Sequence, residues 1–418
     1  MAAGQREFDI ILYGATGFAG KLTAAYLAGE GGQTRIALAG RSADRVQAVR
    51  ADLGPAAQSW PVVVADASSP STLQAMAART RVVISTVGPY SRYGLPLVAA
   101  CAAAGTDYAD LTGETNFIRE SIDLYHKQAV DTGARIVHSC GFDSVPSDIT
   151  VFALYRRAQQ DDAGDLRDTD MVVRTMRGGV SGGTIASMLD MLDATAHDPD
   201  LRDQLNDPYT LTPDAGAEPR FGEQPDVRWR RGAQIAPELG GIWTGAFAMA
   251  MPNTRIVRRS NALLDYAYGR RFVYGEQMSL GRSIFAPAAA ALMTGANAAA
   301  LGLGGRLATL LPRALVDRMM PKPGTGPGTR TRETGHYRLE TYTATGNGSR
   351  YRATMAQRGD PGYKATALLL GQCGLSLAHD RDMLSDLCGV LTPAAAMGDV
   401  LLTRLPAAGV TLQTERLA

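Results

Sequence analysis

The sequence predicts an α/β protein: a doubly wound parallel sheet over the first third of the chain, then a second α/β domain whose sheet is mixed or antiparallel. Two observations carry this. Short apolar runs alternate with helical patterns from Phe8 to His138, as in a parallel sheet covered by helices on both faces. Beyond about residue 150 that alternation loosens. Two runs of period-two alternation, Tyr337–Thr343 and Arg350–Met355, then flank Gly346-Asn347-Gly348, the pattern of an antiparallel hairpin.

The first element is the apolar run Phe8–Tyr13, short enough for a buried parallel strand. It leads into Gly14-Ala15-Thr16-Gly17-Phe18-Ala19-Gly20 and a helical stretch with Leu22, Tyr26 and Leu27 near one face. Glycines at a strand-to-helix turn let phosphate oxygens approach the amides at the positive end of the helix. The spacing is G-x-x-G-x-x-G, not the commoner G-x-G-x-x-G, but its context of strand, turn, helix and strand is that of a Rossmann-type dinucleotide site. Gly14, Ala15, Thr16, Gly17, Phe18 and Gly20 are therefore expected around a pyrophosphate. The second strand, Arg35–Ala39, ends in Gly40-Arg41-Ser42, where an NAD site would usually carry an acid for the ribose 2′-hydroxyl. Arg41 and Ser42, with Arg45 a turn further on, suit a 2′-phosphate and favour NADP(H). The alternative is a structural βαβ unit with a surface arginine.

Strands follow at Pro61–Ala65, Arg81–Thr86, Asp107–Leu111 and Ala134–His138. Helices are expected from a cap near Ser69 to Ala78, from Leu95 to Ala104 and from Ile118 to Val130. In such sheets ligands bind beyond the carboxyl ends of the strands. Asp66, after the third strand, either approaches the adenine or caps a helix. The loops Val87–Gly94 and Cys140–Asp148 should face the nicotinamide half. There Gly88-Pro89 would set a turn against the ligand, and Ser144 and Ser147 would open a helix able to stabilise oxyanion charge or simply cap it.

With 42 basic and 41 acidic residues the net charge is +1, which gives no overall attraction to nucleic acid. Cys101, Cys140, Cys373 and Cys388 are scattered without metal-ligand spacing, so neither a metal site nor a disulfide framework is expected and a reducing cytoplasm fits. Met1–Glu7 lacks the apolar core of a signal peptide.

In the second half, Gly178–Thr184 reads as a turn or a substrate clamp, and Pro199–Pro237 as a surface excursion with little regular structure, a candidate lid. Arg255, Arg258, Arg259, Arg270 and Arg271 form either a basic patch for an acidic partner such as an acyl carrier protein or a solvated face. The stretch 283–305 is uncharged and rich in Ala and Gly, a weak membrane span. With the leucines and arginines of 306–318 it suits an interfacial or acyl-chain-covering hairpin, a buried helix or a homodimer contact. Thr392 and Pro393 should start a helix over Ala394–Leu405.

Six segments in order, Tyr13–Gly20, Leu38–Ser42, Val87–Tyr90, Tyr108–Glu114, Cys140–Asp148 and Leu391–Gly398, resemble the saccharopine-dehydrogenase-like oxidoreductases. Within them they resemble the trans-acting enoyl reductases that serve polyketide synthases making phthiocerol-type lipids. The resemblance implies an NADP-binding domain over 1–148, a substrate domain over 149–385 and a terminal segment, 386–418, returning to the first domain. It implies NADPH-dependent reduction of a carbon–carbon double bond in a carrier-bound, long-chain acyl intermediate, by a cytoplasmic protein with peripheral membrane contact in view. Such chemistry needs a donor at the thioester oxygen and a proton for the α-carbon. No tyrosine begins a Tyr-x-x-x-Lys motif, so Tyr90, Tyr93 and Ser144 are the candidate donors and Asp143 a candidate orienter; water or backbone N–H groups could serve instead. The rival expectations are an amino-acid dehydrogenase of the saccharopine type and a non-catalytic NADPH-bound protein on a lipid surface.

Overall fold

The structure is a computed structural model that describes residues 6–178, 194–195, 197–219, 224–228, 230–302 and 326–417, with the backbone alone at 294 and 296–302. The strands in chain order are β1 (Phe8–Tyr13), β2 (Ile36–Gly40), β3 (Val62–Val64), β4 (Thr80–Ser85), β5 (Asp107–Asp110), β6 (Arg135–Val137), β7 (Leu166–Arg177), β8 (Trp243–Ala246), β9 (Val273–Gly281), β10 (His336–Thr345), β11 (Arg350–Arg358), β12 (Gly389–Leu391) and β13 (Thr411–Arg416). The first sheet has seven strands in the order β12-β6-β5-β4-β1-β2-β3, all parallel.

These strands are continuous apolar runs because both faces are buried. In β1, Ile10 and Leu12 join one core while Ile11 and Tyr13 join the other. Ile36 and Leu38 against Ala37 and Ala39 repeat the pattern in β2. Helices α1 (Phe18–Glu30), α2 (Ala43–Asp52), α3 (Pro70–Ala77), α4 (Tyr90–Tyr93), α5 (Leu95–Ala104) and α6 (Thr115–Thr132) connect them. α7 (Val145–Gln160) leaves the carboxyl end of β6 and leads to the second sheet.

That sheet has six strands in the order β13-β11-β10-β7-β9-β8 and is mixed, since β7 and β9 run parallel and the other pairs antiparallel. The β10–β11 hairpin turns at the expected glycines, where Gly348 takes a φ of +89°. The termini of the chain's last third are shared between sheets: β12 pairs with β6 in the first, and β13 with β11 in the second.

Several later segments differ from expectation. Within Pro199–Pro237 lies a helix, α8 (Pro199–Asn206), because Asp198 accepts the Leu201 N–H at 2.9 Å and Pro199 suits a first helical position. A short α9 (Gly232–Ile235) follows. α10 (Ala250–Leu263) carries Arg255, Arg258 and Arg259, which are 2%, 4% and 1% exposed; they are interior residues, so only Arg270 and Arg271 of the anticipated basic patch face solvent. Helix α11 (Ala286–Gly302) occupies most of the uncharged stretch, and among the described residues no helix is long and apolar enough to cross a membrane. The loop 179–184 and the hairpin anticipated after residue 305 lie outside the described residues. After α12 (Thr329–Thr334) and the hairpin comes α13 (Thr366–His379), which lies against β1, β4 and β5 of the first sheet. Contact is close enough that a Cβ on Gly374 would stand 2.2 Å from Ile84 Cδ1. α14 (Pro393–Ala407) begins as expected, with Thr392 Oγ1 accepting the Ala395 N–H at 3.3 Å.

Candidate functional site

The glycine turn is built to leave amides open. Gly17 N–H donates to Gly14 O at 2.9 Å to close it. Gly14 has a φ of +89°, and a Cβ there would meet Thr86 Oγ1 and Val87 Cγ2 at 2.7 Å. A Cβ on Gly20 would lie 2.1 Å from Gly14 O, so glycine alone lets α1 start this close to the strand. Gly17 caps α1 without a side-chain hydrogen bond, and the first turn holds no acid. Uncapped amides at the positive pole of a thirteen-residue helix fit a diphosphate. Ala15 is buried in this turn, and Thr16 and Phe18 are half-buried at its edge.

At the ends of β2 and β3, Arg41 is exposed and Ser42 caps α2, accepting the Arg45 N–H at 3.5 Å. Asp66 accepts from Ser68 N–H at 2.8 Å and Ser68 Oγ–H at 2.7 Å. Those bonds, with the charge of Arg41, hold its carboxyl below the usual range. Asp66 therefore shapes a turn beside Arg41, whose side chain is left exposed.

The other end of the site is formed by the loops after β4, β5 and β6. Gly88 is exposed and Pro89 half-buried ahead of α4. The buried Tyr90 donates its O–H to Ser85 O at 3.0 Å and accepts the Leu111 N–H at 3.2 Å, while Glu114 accepts the Tyr90 and Ser91 N–H groups at 2.9 and 2.7 Å. Burial and the nearby Asp110, Asp143 and Glu114 charges push the Tyr90 phenol far up. Its hydroxyl is thus committed to backbone. Tyr93, one turn on, is 46% exposed.

Ser144 faces away from this opening. Its Oγ–H donates to Asn253 Oδ1 at 2.9 Å, Asn253 Nδ2 donates to Glu276 Oε2 at 2.9 Å, and Tyr274 O–H donates to Glu276 Oε1 at 2.8 Å. All four residues are buried. Burial pushes the Glu276 carboxyl up to about 7 against the hydrogen bonds of Ser147, Asn253 and Tyr274. Asp143 differs: it is half-buried, and no other side chain donates a hydrogen bond to it among the described contacts. Burial pushes its carboxyl up to about 7, with the Asp110 charge adding and its own backbone N–H opposing. Gly141 makes room for it, since a Cβ there would meet Leu111 Cδ2 at 2.6 Å and Asp143 Oδ2 at 2.8 Å.

Sequence reasoning missed the network beneath this loop. Asp110 Oδ2 accepts from Tyr108 O–H at 3.0 Å and lies 2.7 Å from His138 Nδ1, whose Nε2 is 2.9 Å from Ser121 Oγ. A Ser–His–Asp chain suggests a nucleophile, but Ser121, His138 and Asp110 are wholly buried. It serves to hold the loop: Asp110 Oδ1 accepts the Ser139 N–H at 3.0 Å, and Ser139 Oγ–H donates to Thr112 O at 2.6 Å, fixing Ser139 at a φ of +61°. The signal was available in the register, because Ala109 pairs with Val137 and so sets Asp110 beside His138.

Residues 10–137 match the family of the saccharopine dehydrogenase NADP binding domain. A Mycobacterium tuberculosis protein provisionally named a trans-acting enoyl reductase is 68% identical over 418 residues, covering 100% of each chain. The trans-acting enoyl reductases of Mycobacterium bovis and Mycobacterium ulcerans are 61% and 59% identical, also over 100% of each chain. Among solved structures, apo saccharopine dehydrogenase (L-Glu forming) of Saccharomyces cerevisiae has a TM-score of 0.52 over 98% of this chain and 99% of that one, at 14% identity, a likeness of fold.

Proposed function

The chain belongs to the saccharopine-dehydrogenase-like oxidoreductases, among the trans-acting enoyl reductases, and on that premise we propose that it reduces the carbon–carbon double bond of a carrier-bound polyketide or fatty-acyl thioester. It is an NADP-dependent oxidoreductase. Its partner in this reading is a polyketide synthase or an acyl carrier protein, and its product enters a complex lipid of the phthiocerol type.

The observation that carries the reading is a half-buried carboxyl, Asp143, at the carboxyl ends of β5 and β6, with its proton affinity raised to about 7. The open amides of Gly17 to Gly20 would hold the diphosphate, and Arg41 and Ser42 the 2′-phosphate. When bound, NADPH would supply the hydride needed at the β-carbon of the enoyl thioester. Reduction would build charge on the thioester oxygen, for which the hydroxyl of the exposed residue Tyr93 is the candidate donor. Asp143 gives its proton to the α-carbon and regains one from solvent, so the double bond becomes a single bond with one hydrogen from each source. Tyr90 and Ser144 act from behind, one fixing α4 and the other the start of α7.

At the start of α11, Ile284 and Phe285 are 86% and 74% exposed, which supports peripheral contact with an apolar partner or a lipid surface. Vesicle co-sedimentation of the chain and of Phe285→Ser tests that contact. For the reaction, the chain is mixed with NADPH and a carrier-bound 2-enoyl thioester. Saturated product formed one-for-one with NADPH consumed supports the proposal. Binding of NADPH without saturated product overturns it in favour of amino-acid chemistry or a non-catalytic role.

A further inference from the structure

Phe18, the first residue of α1, is covered by the segment that leads into the second sheet. The Tyr363 ring meets it edge-on with centroids 4.6 Å apart, and the Arg332 guanidinium lies over its face, 5.3 Å from the ring centre. Gly326 comes so near that a Cβ there would stand 2.4 Å from Phe18 Cε1. Arg332 is half-buried and aimed: Nη1 donates to Pro327 O at 2.9 Å, and Nη2 to Thr329 Oγ1 at 3.1 Å. The adjacent Glu333 is taken by Lys364, and the buried Asp360, whose N–H donates to Arg332 O at 3.0 Å, has its carboxyl within the field of the Arg332 charge.

This arrangement places the Arg332 guanidinium over the first residue of α1, beside an uncapped N-terminus that is also a positive pole. Two like poles repel each other, and an anion lying against both is attracted by both. A diphosphate lying on the amides of the glycine turn would reverse the sign of both contributions, and a guanidinium suits phosphate oxygens. We propose that Arg332 is a second, cross-sheet ligand of the cofactor's diphosphate, so that a bound nucleotide fastens the 326–335 segment over the glycine turn. The proposal rests on the NADP(H) reading of that turn. Since the diphosphate is common to both nicotinamide nucleotides, Arg332 strengthens NADPH and NADH equally, whereas Arg41 acts on NADPH alone.

Fluorescence titration of the full chain with NADPH and with NADH tests this. Arg332→Gln should raise both dissociation constants by the same factor, about tenfold, with Arg332→Lys between it and the native chain. Unchanged constants, or a loss confined to NADPH, overturn the proposal. Hydrogen exchange on the native chain gives an independent reading: NADPH should slow the amides of 326–335, and unaltered exchange there overturns the proposal even where Arg332→Gln does not fold. Failure of the native chain to bind either nucleotide overturns the cofactor reading, and Arg332's role with it. Binding with no contribution from Arg332 removes only the latter.

Discussion

Ser144 donates its hydroxyl hydrogen to Oδ1 of Asn253 across 2.9 Å, which joins the start of α7 to Glu276 on β9 of the second sheet. The two sheets are thus connected by a buried polar chain directly behind the loop that carries Asp143. Asn253→Ala would remove the acceptor of the Ser144 hydroxyl and one of the three side-chain hydrogen bonds to Glu276. A loss of about 2–4 kcal/mol is expected in urea unfolding. A change under about 0.5 kcal/mol would contradict the assigned role.

With Asp143 as the proposed proton donor, turnover should depend on pH. Its carboxyl stands at about 7, so the proton-bearing form declines as pH rises through neutrality and the rate should fall with it. In Asp143→Asn that fall should disappear and kcat should drop about 100-fold or more. A pH–rate profile of both proteins checks this; an identical descending limb in the variant would rule Asp143 out.

Asp148 makes a separate prediction about stability. Burial pushes its carboxyl up to about 7, against hydrogen bonds from Ser260 Oγ–H at 2.5 Å and Ala394 N–H at 2.7 Å. A folded-state value above the unfolded 3.8 means that the folded chain binds more protons between them. Its contribution is whole below the unfolded value and is lost as pH rises through about 7. Glu276 and Asp143 act in the same direction. Unfolding free energy should therefore decline from pH 5 to 8, and Asp148→Asn should reduce that slope by up to about 1.4 kcal/mol per pH unit. An unchanged slope would contradict the assignment.

Arg41 should decide between the two nucleotides. Arg41→Ala is expected to weaken NADPH by about tenfold or more while leaving NADH nearly unchanged. Equal losses for the two in calorimetric titration would show that Arg41 does not meet a 2′-phosphate.

Gly20 tests the turn itself. Gly20→Ala places a methyl where Gly14 O now lies, 2.1 Å away, so α1 must shift outward. A cost above about 2 kcal/mol and loss of the thermal stabilisation given by NADPH are expected in melting curves with and without the nucleotide. Retained stabilisation would mean that the turn tolerates the shift.

The first sheet was readable in the sequence because its strands are buried on both faces and its turns are marked by glycine, so pattern and position agree. The cofactor residues are proposed from the same marks. Arg255, Arg258 and Arg259 misled because a run of arginines reads as solvated, whereas α10 is enclosed on every side and Arg259 donates to the carbonyls of Leu211 and Val390. Their charges are satisfied by carbonyls and by Asp226, partners set by tertiary packing that no local pattern announces. The direction of Ser144 was hidden for the same reason: whether a helix-capping hydroxyl faces a ligand or a neighbouring sheet depends on residues more than a hundred positions away. α13 was missed because an apolar helix buried nearly all round has no polar face to give it a period.

Isotope labelling of the product tests the central claim most directly. With a carrier-bound 2-enoyl thioester and NADPH deuterated at the transferring position in ordinary water, the saturated acyl chain should carry one deuterium at the β-carbon. With ordinary NADPH in heavy water it should carry one at the α-carbon. Recovery of unlabelled, unsaturated thioester from a chain that demonstrably binds NADPH would contradict the account.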